Sequence, residues 1–177
     1  MNAPIFPARM ARKFTTVDVF KMVESGVLAP DERVELIEGE LALMSPKHNK
    51  HEWLKNRLVR WLNRKVPDSL IVAVESTLYL TDDTFVEPDI MIYPDHILPE
   101  DVRGPDVKPL IEIADSSLAF DLGRKAALYA QHGVSPYWVI DAETKTTHVH
   151  DAGGVRVIAA DAALEGFAAG LVLAALT

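Results

Sequence analysis

The stretch Pro109-Leu110-Ile111-Glu112-Ile113-Ala114 decides how this chain is read. A short apolar run, β-branched at two positions and opened by a proline, predicts a strand covered on both faces. Glu112 interrupts it. A carboxylate among apolar neighbours is costly to bury unless a counter-charge, hydrogen-bond donors or a metal ion meets it. Glu112 is therefore the first residue whose partner has to be found.

Upstream, residues 94–108 are charged and punctuated by proline, a loop long enough to be suspected of function. Before it, residues 85–93 predict another strand, with Asp89 near its middle following Glu87-Pro88. The loop lets the two strands pair antiparallel. If they are neighbours, Asp89 and Glu112 converge within reach of one hard cation. Mg²⁺ (or Mn²⁺) suits such a pair, because Mg²⁺ takes oxygen ligands octahedrally and keeps several waters. The carbonyl of Ile113 offers a further oxygen. A cation there would polarise phosphoryl oxygens and lower the pKa of an attacking water. Two structural readings stand beside this one: an Asp89 that only makes a turn after its proline, and a Glu112 that only forms a buried ion pair with Lys125. Position 114 shares a face with Glu112 and would best carry an assisting lysine. It is Ala114, and Lys125, on the next predicted helix, extends into the same space from the side.

Further out, residues 121–132 predict a helix closed by Gly133, and Tyr137-Trp138-Val139-Ile140 a buried strand ended by Asp141. Residues 146–150 and 155–159, joined around Gly153-Gly154, predict a hairpin. The tail, 164–176, is apolar and broken by glycine, and no element is assigned to it. Towards the N-terminus, residues 51–66 place Trp53, Leu54, Leu58, Trp61 and Leu62 at helical spacing. Lys55, Arg57, Arg60 and Arg64 take the other positions. Residues 70–80 predict a strand or bent pair. Residues 33–37 and 40–44 flank Glu38-Gly39 as a hairpin, and 17–24 form a short helix capped by threonine. Residues 1–14 are expected to be a flexible leader and 15–177 a single domain. The class is α/β (α+β): a mixed central sheet flanked by helices, with an N-terminal β-hairpin.

Composition removes several chemistries. The chain has no cysteine, so disulfides, thiolate zinc sites and cysteine nucleophiles are excluded. Ser116 and Ser117 lack a Gly-x-Ser-x-Gly elbow, and no phosphate-binding or dinucleotide fingerprint is present. His48-x-x-His51 is a poor zinc spacing without further ligands. Arg9, Arg12 and Lys13 mimic the start of a signal peptide, but no apolar run follows them. No stretch reaches the roughly 18 apolar residues of a membrane helix, so a cytoplasmic protein without a membrane partner is expected.

In chain order, Glu35-Leu36-Ile37-Glu38-Gly39-Glu40, His51, Pro88-Asp89, Ile111-Glu112-Ile113, Lys125-x-x-x-Tyr129-x-x-x-Gly133 and Tyr137-Trp138-x-x-Asp141 carry a resemblance. Over about residues 15 to 150 the chain resembles the restriction endonuclease family long catalogued as a domain of unknown function, within the PD-(D/E)XK nuclease superfamily. The resemblance implies a restriction-endonuclease-like core, a divalent metal and hydrolysis of nucleic acid phosphodiesters. It matches Asp89 and Glu112 to the metal-binding acids, and Lys125 to a catalytic lysine displaced from the strand onto the helix. Glu40 and His51 fall where the family carries an acidic residue and a histidine near the site. Asp115 departs from the family's turn, and is either an extra acidic ligand or a helix cap.

A Mg²⁺-dependent endonuclease acting on DNA is thus the expected function. A homodimer goes with it, since cutting two strands with one site each calls for two copies. The net charge of −8 pulls the other way, because nucleic acid binding rests on cations. Lys47, Lys50, Lys55, Arg57, Arg60, Arg64 and Lys65 are either a phosphate-facing cluster or a solvated helix face. The alternatives are a non-catalytic nuclease-fold binding or regulatory module, and a hydrolase of some other phosphoester.

Overall fold

The computed structural model describes residues 12–29, 31–44 and 48–176. Most of the expected leader, residues 1–11, lies outside them, as does Lys47. The elements in chain order are α1 (Thr16–Glu24), β1 (Val34–Ile37), β2 (Glu40–Leu43), α2 (Asn49–Leu62), β3 (Leu70–Val74), β4 (Leu78–Thr81), β5 (Thr84–Val86), β6 (Ile90–Pro94), β7 (Leu110–Ala114), α3 (Leu118–Phe120), α4 (Ala126–Gln131), β8 (Tyr137–Asp141), β9 (Thr147–Asp151) and β10 (Gly154–Ile158). The chain divides into two compact units, Met1–Ser45 with Thr81–Val86, and Pro46–Leu80 with Glu87–Thr177.

In the first unit, α1 starts with a reciprocal cap. The Thr15 side chain accepts from the Asp18 N–H, and the Asp18 carboxylate accepts from the Thr15 N–H. The β1–β2 hairpin closes through two left-handed residues, Glu38 (φ 52°) and Gly39 (φ 78°). That conformation matches the twist of the flanking strands. Phe14 donates its N–H to the Gly39 carbonyl at 2.9 Å, tying the chain before α1 to this turn. Leu36 of β1 pairs with Phe85 of β5.

The second unit is built on a six-stranded sheet in the order β10-β9-β8-β7-β6-β3. All neighbours are antiparallel except β7 and β8. A parallel pair needs a crossover, and the helical stretch between these two strands supplies it. Leu54, Leu58 and Leu62 of α2 pack with Ile90, Ile92, Ile111, Ile113 and Ile140. The tail joins the same core through Leu164, Leu171 and Leu173, with 3-10 turns at Gly166–Ala168 and Leu173–Ala175. Side chains alternate along a strand, so Glu112 points away from α2, towards the crossover.

Two expectations need correction. Residues 85–93 are two strands and not one, because Glu87-Pro88-Asp89 separates β5 from β6. Pro88 has no N–H to give a ladder, so Asp89 sits at the mouth of β6 rather than its middle. The crossover helix begins at Leu118 and not at Asp121, and Asp121–Lys125 winds as a π-helix between α3 and α4. The expected mixed sheet, flanking helices and N-terminal hairpin are all present. Among the described residues, no helix is long and apolar enough to cross a membrane.

Candidate active site

The site forms where β6 and β7 stop pairing. Their register runs Met91↔Leu110 and Ile90↔Ile111. One step further would set Asp89 opposite Glu112. Ladder bonds recur at alternate pairs, and Ile92 donates to the Pro109 carbonyl at 3.0 Å. After Ile90↔Ile111, the next pair due to bond is therefore Pro88 with Ile113, and Pro88 has no donor. Carboxylates take over at this point. Ile113 donates its N–H to Asp89 Oδ2 at 2.8 Å, and the Asp89 N–H points at Glu112 Oε2 at 3.3 Å.

Around these two acids the partners are side chains. Glu112 Oε1 accepts from Lys125 Nζ at 3.0 Å and from the Tyr129 hydroxyl at 3.0 Å. The Lys125 and Glu112 side chains are each only 7% exposed, so this is a buried ion pair. His51, in the first turns of α2, sets Nε2 2.9 Å from Asp89 Oδ2. Its Nδ1 lies 3.2 Å from Glu52 Oε1. Lys55 then donates to Glu52 at 2.6 Å and also bonds Glu75. Glu75 returns to the site through its N–H, which meets the Asp89 carbonyl at 3.2 Å, and its own φ is +51°.

Burial pulls the Lys55 ammonium down, but bonds from Glu52 and Glu75 outweigh it and hold the group above its ordinary range. Burial pushes the Glu52 carboxyl up, yet Lys55 keeps it below the usual carboxylate value.

The crossover presents its residues at four-residue spacing. Asp121, Lys125 and Tyr129 are all buried. Asp121 accepts from the Ser117 hydroxyl at 2.5 Å through its carboxylate, and from the Tyr137 hydroxyl at 3.1 Å through its carbonyl. π-turns of this kind recur at functional sites.

Of the residues named from the sequence, Asp89, Glu112, Lys125 and His51 thus lie in one bonded network of the second unit, with the Ile113 backbone between the two acids. Glu40 lies in the first unit, exposed on β2 and paired with Ile37. Asp115 pairs through Oδ2 with His48 Nδ1 at 2.6 Å, and the N-cap of the helix that follows is Ser117 and not Asp115. Lys55 leaves the cationic cluster for the interior. Glu52, Glu75 and Asp121 were not anticipated at the site, and Tyr129 was named only within the motif that carries the resemblance. Tyr129 was detectable as the residue four after Lys125. Lys55 was detectable as a member of the buried α2 stripe His51-Leu54-Lys55-Leu58-Leu62.

Among the described residues no group of three His, Cys, Asp or Glu side chains forms a ready metal cage. Two carboxylates with a neighbouring backbone carbonyl do fit Mg²⁺, which is commonly held by one or two carboxylates with water filling the remaining positions.

The comparisons with known proteins agree with this architecture. The family model Uma2, described as "Putative restriction endonuclease", matches residues 19–173. A solved structure titled a putative nuclease belonging to DUF820, from Anabaena variabilis ATCC 29413, superposes with a TM-score of 0.67. The alignment covers 90% of this chain and 94% of that one at 18% identity, a likeness that shows a common fold. No curated protein matches the chain.

Proposed function

Because this chain belongs to the Uma2 family of putative restriction endonucleases, we propose that it is a Mg²⁺-dependent endonuclease hydrolysing phosphodiester bonds in nucleic acid, with DNA as the first substrate to test. The observation that carries this reading is the meeting of Asp89 and Glu112 at the unzipped end of β6 and β7, with Lys125 bonded to Glu112. Asp89, Glu112 and the Ile113 carbonyl would hold the cation. When bound, it would supply a Lewis acid for a phosphoryl oxygen and a water of lowered pKa.

The protein's own groups have separate tasks. Lys125 brings a positive charge, already desolvated, to the place where a pentacoordinate phosphate gathers negative charge. His51 holds Asp89 in orientation from the side of α2, and Tyr129 does the same for Glu112. A single copy suffices to cut one strand, and two copies would serve a duplex.

The test is cleavage of supercoiled plasmid and of labelled oligonucleotides with Mg²⁺, Mn²⁺ or EDTA. Wild type should cut with metal only. Asp89→Asn and Glu112→Gln should fall to background, and Lys125→Met should lose about 100-fold or more. A second reading, a binding module that does not cut, draws on the net charge of −8 and on a Glu112 already met by Lys125 and Tyr129. Wild type that binds nucleic acid and never cleaves it would establish that reading instead.

A further inference from the structure

Beside the first turns of α2 lies a cavity of about 460 Å³ that the site above does not use. Trp53, Leu54, Ala142, Lys50, Glu143 and Lys145 are among the residues that line it. Its size is that of a small-molecule pocket. Trp53 is 36% exposed, an unusual position for so large an apolar ring. Two cations attend the ring, Arg57 at 5.2 Å and Lys145 at 5.5 Å from its centre. Glu143 is the one acid of the lining, and Lys50 meets it at 2.5 Å, so two lysines stand against one acid there.

The helix continues this character. From Trp53 to Lys65 there are five cations and no acid, in a chain whose net charge is −8. Lys55 is buried, whereas Arg57, Arg60, Arg64 and Lys65 are exposed. Arg57 and Arg60 lie in the last turns of α2, and Arg64 and Lys65 just past its end, a spread that can meet more than one phosphate. A run of exposed cations free of acids, next to an exposed tryptophan, is complementary to a polyanion carrying flat rings.

We propose that this pocket receives an unpaired nucleobase of the substrate strand against Trp53, with Arg57 and Lys145 passing from the ring to the adjoining phosphates. A base can reach the ring only when it is out of a duplex stack. The preferred substrate is therefore single-stranded or holds an extruded nucleotide. The identity of this ligand rests on the nuclease reading, while its binding can be measured without cleavage.

The experiment titrates the full chain, in EDTA, with a twelve-nucleotide oligodeoxynucleotide and with the corresponding duplex, following tryptophan fluorescence and anisotropy of the labelled DNA. The single strand should bind and quench Trp53, and bind more tightly than the duplex. Trp53→Ala should weaken it about tenfold, with Trp53→Phe retaining most of the affinity. Lys145→Gln, which leaves the ring in place, should also weaken it, and so decides the matter if Trp53→Ala fails to fold. Equal affinity of wild type and folded Trp53→Ala, equal affinity for duplex, or no binding of either DNA would each overturn the proposal. Cleavage of the same oligonucleotides with Mg²⁺ separates the two readings. Binding through Trp53 without any cleavage would leave the pocket standing and remove the nuclease. Cleavage with unchanged kcat/KM in Trp53→Ala would do the reverse.

Discussion

Lys55 keeps a charge out of water between Glu52 and Glu75, one helical turn from the His51 that holds Asp89. Removing one partner of a fully buried pair costs roughly 3–5 kcal/mol. Here the two acids are 40% and 29% exposed and regain part of their hydration. Lys55→Met should therefore lower stability by about 1–3 kcal/mol in urea unfolding; an unchanged midpoint would show that the pair contributes nothing. His150 gives a second test. Burial, with His148 nearby, holds its pKa below the usual histidine value, and its Nε2 is buried without a bond. The folded state thus binds this proton less well than the unfolded chain. Stability is full above the ordinary value of 6.5 and is lost as pH falls through the depressed one. Unfolding at pH 7.5 and 5.5 should show a larger loss in wild type than in His150→Phe. At this scale Glu112 was legible because its apolar flanks demanded a partner. Lys55 was hidden by counting it with the helix's other cations, although its spacing from His51 and Leu58 put it on the buried stripe.

The elements around the site show where a backbone rule decides. Asp89 and Glu112 face one another because β6 and β7 are antiparallel, which the length of the loop between them allowed one to expect. The break at Pro88 was legible in principle, since proline cannot complete a central ladder, but the apolar residues on either side masked it. The π-turn was not legible at all: four-residue spacing of Asp121, Lys125 and Tyr129 is equally that of an α-helix. Gly123 lies within this turn, with a backbone open to any residue and no atom within 4 Å of a Cβ placed there. Gly123→Ala should stabilise by about 0.5–1 kcal/mol, read from thermal or urea unfolding. A loss of stability would mean that the π-turn needs glycine for its winding.

For the whole molecule, mixed sheet and flanking helices were legible from the alternation of periods along the chain. The division into two units was not, because residues 81–86 return to the N-terminal unit without any change in composition. Charge is also a property of this scale. With a net charge of −8, affinity for nucleic acid has to come from a few local cations and should fall steeply with salt. If three or four of Arg57, Arg60, Arg64 and Lys145 meet phosphates, the log–log slope for a single strand should be about −2 to −3 between 50 and 200 mM salt. A flat dependence would mean that these cations make no phosphate contacts.

The nuclease reading depends on Asp89 and Glu112 acting together as one cation site. The direct measurement is isothermal titration of Mn²⁺ into wild type and Glu112→Gln, with and without a bound oligonucleotide. One Mn²⁺ per chain in wild type, lost in a folded Glu112→Gln, is the predicted result. Equal binding by both proteins, or none by wild type even with the oligonucleotide present, would contradict the account.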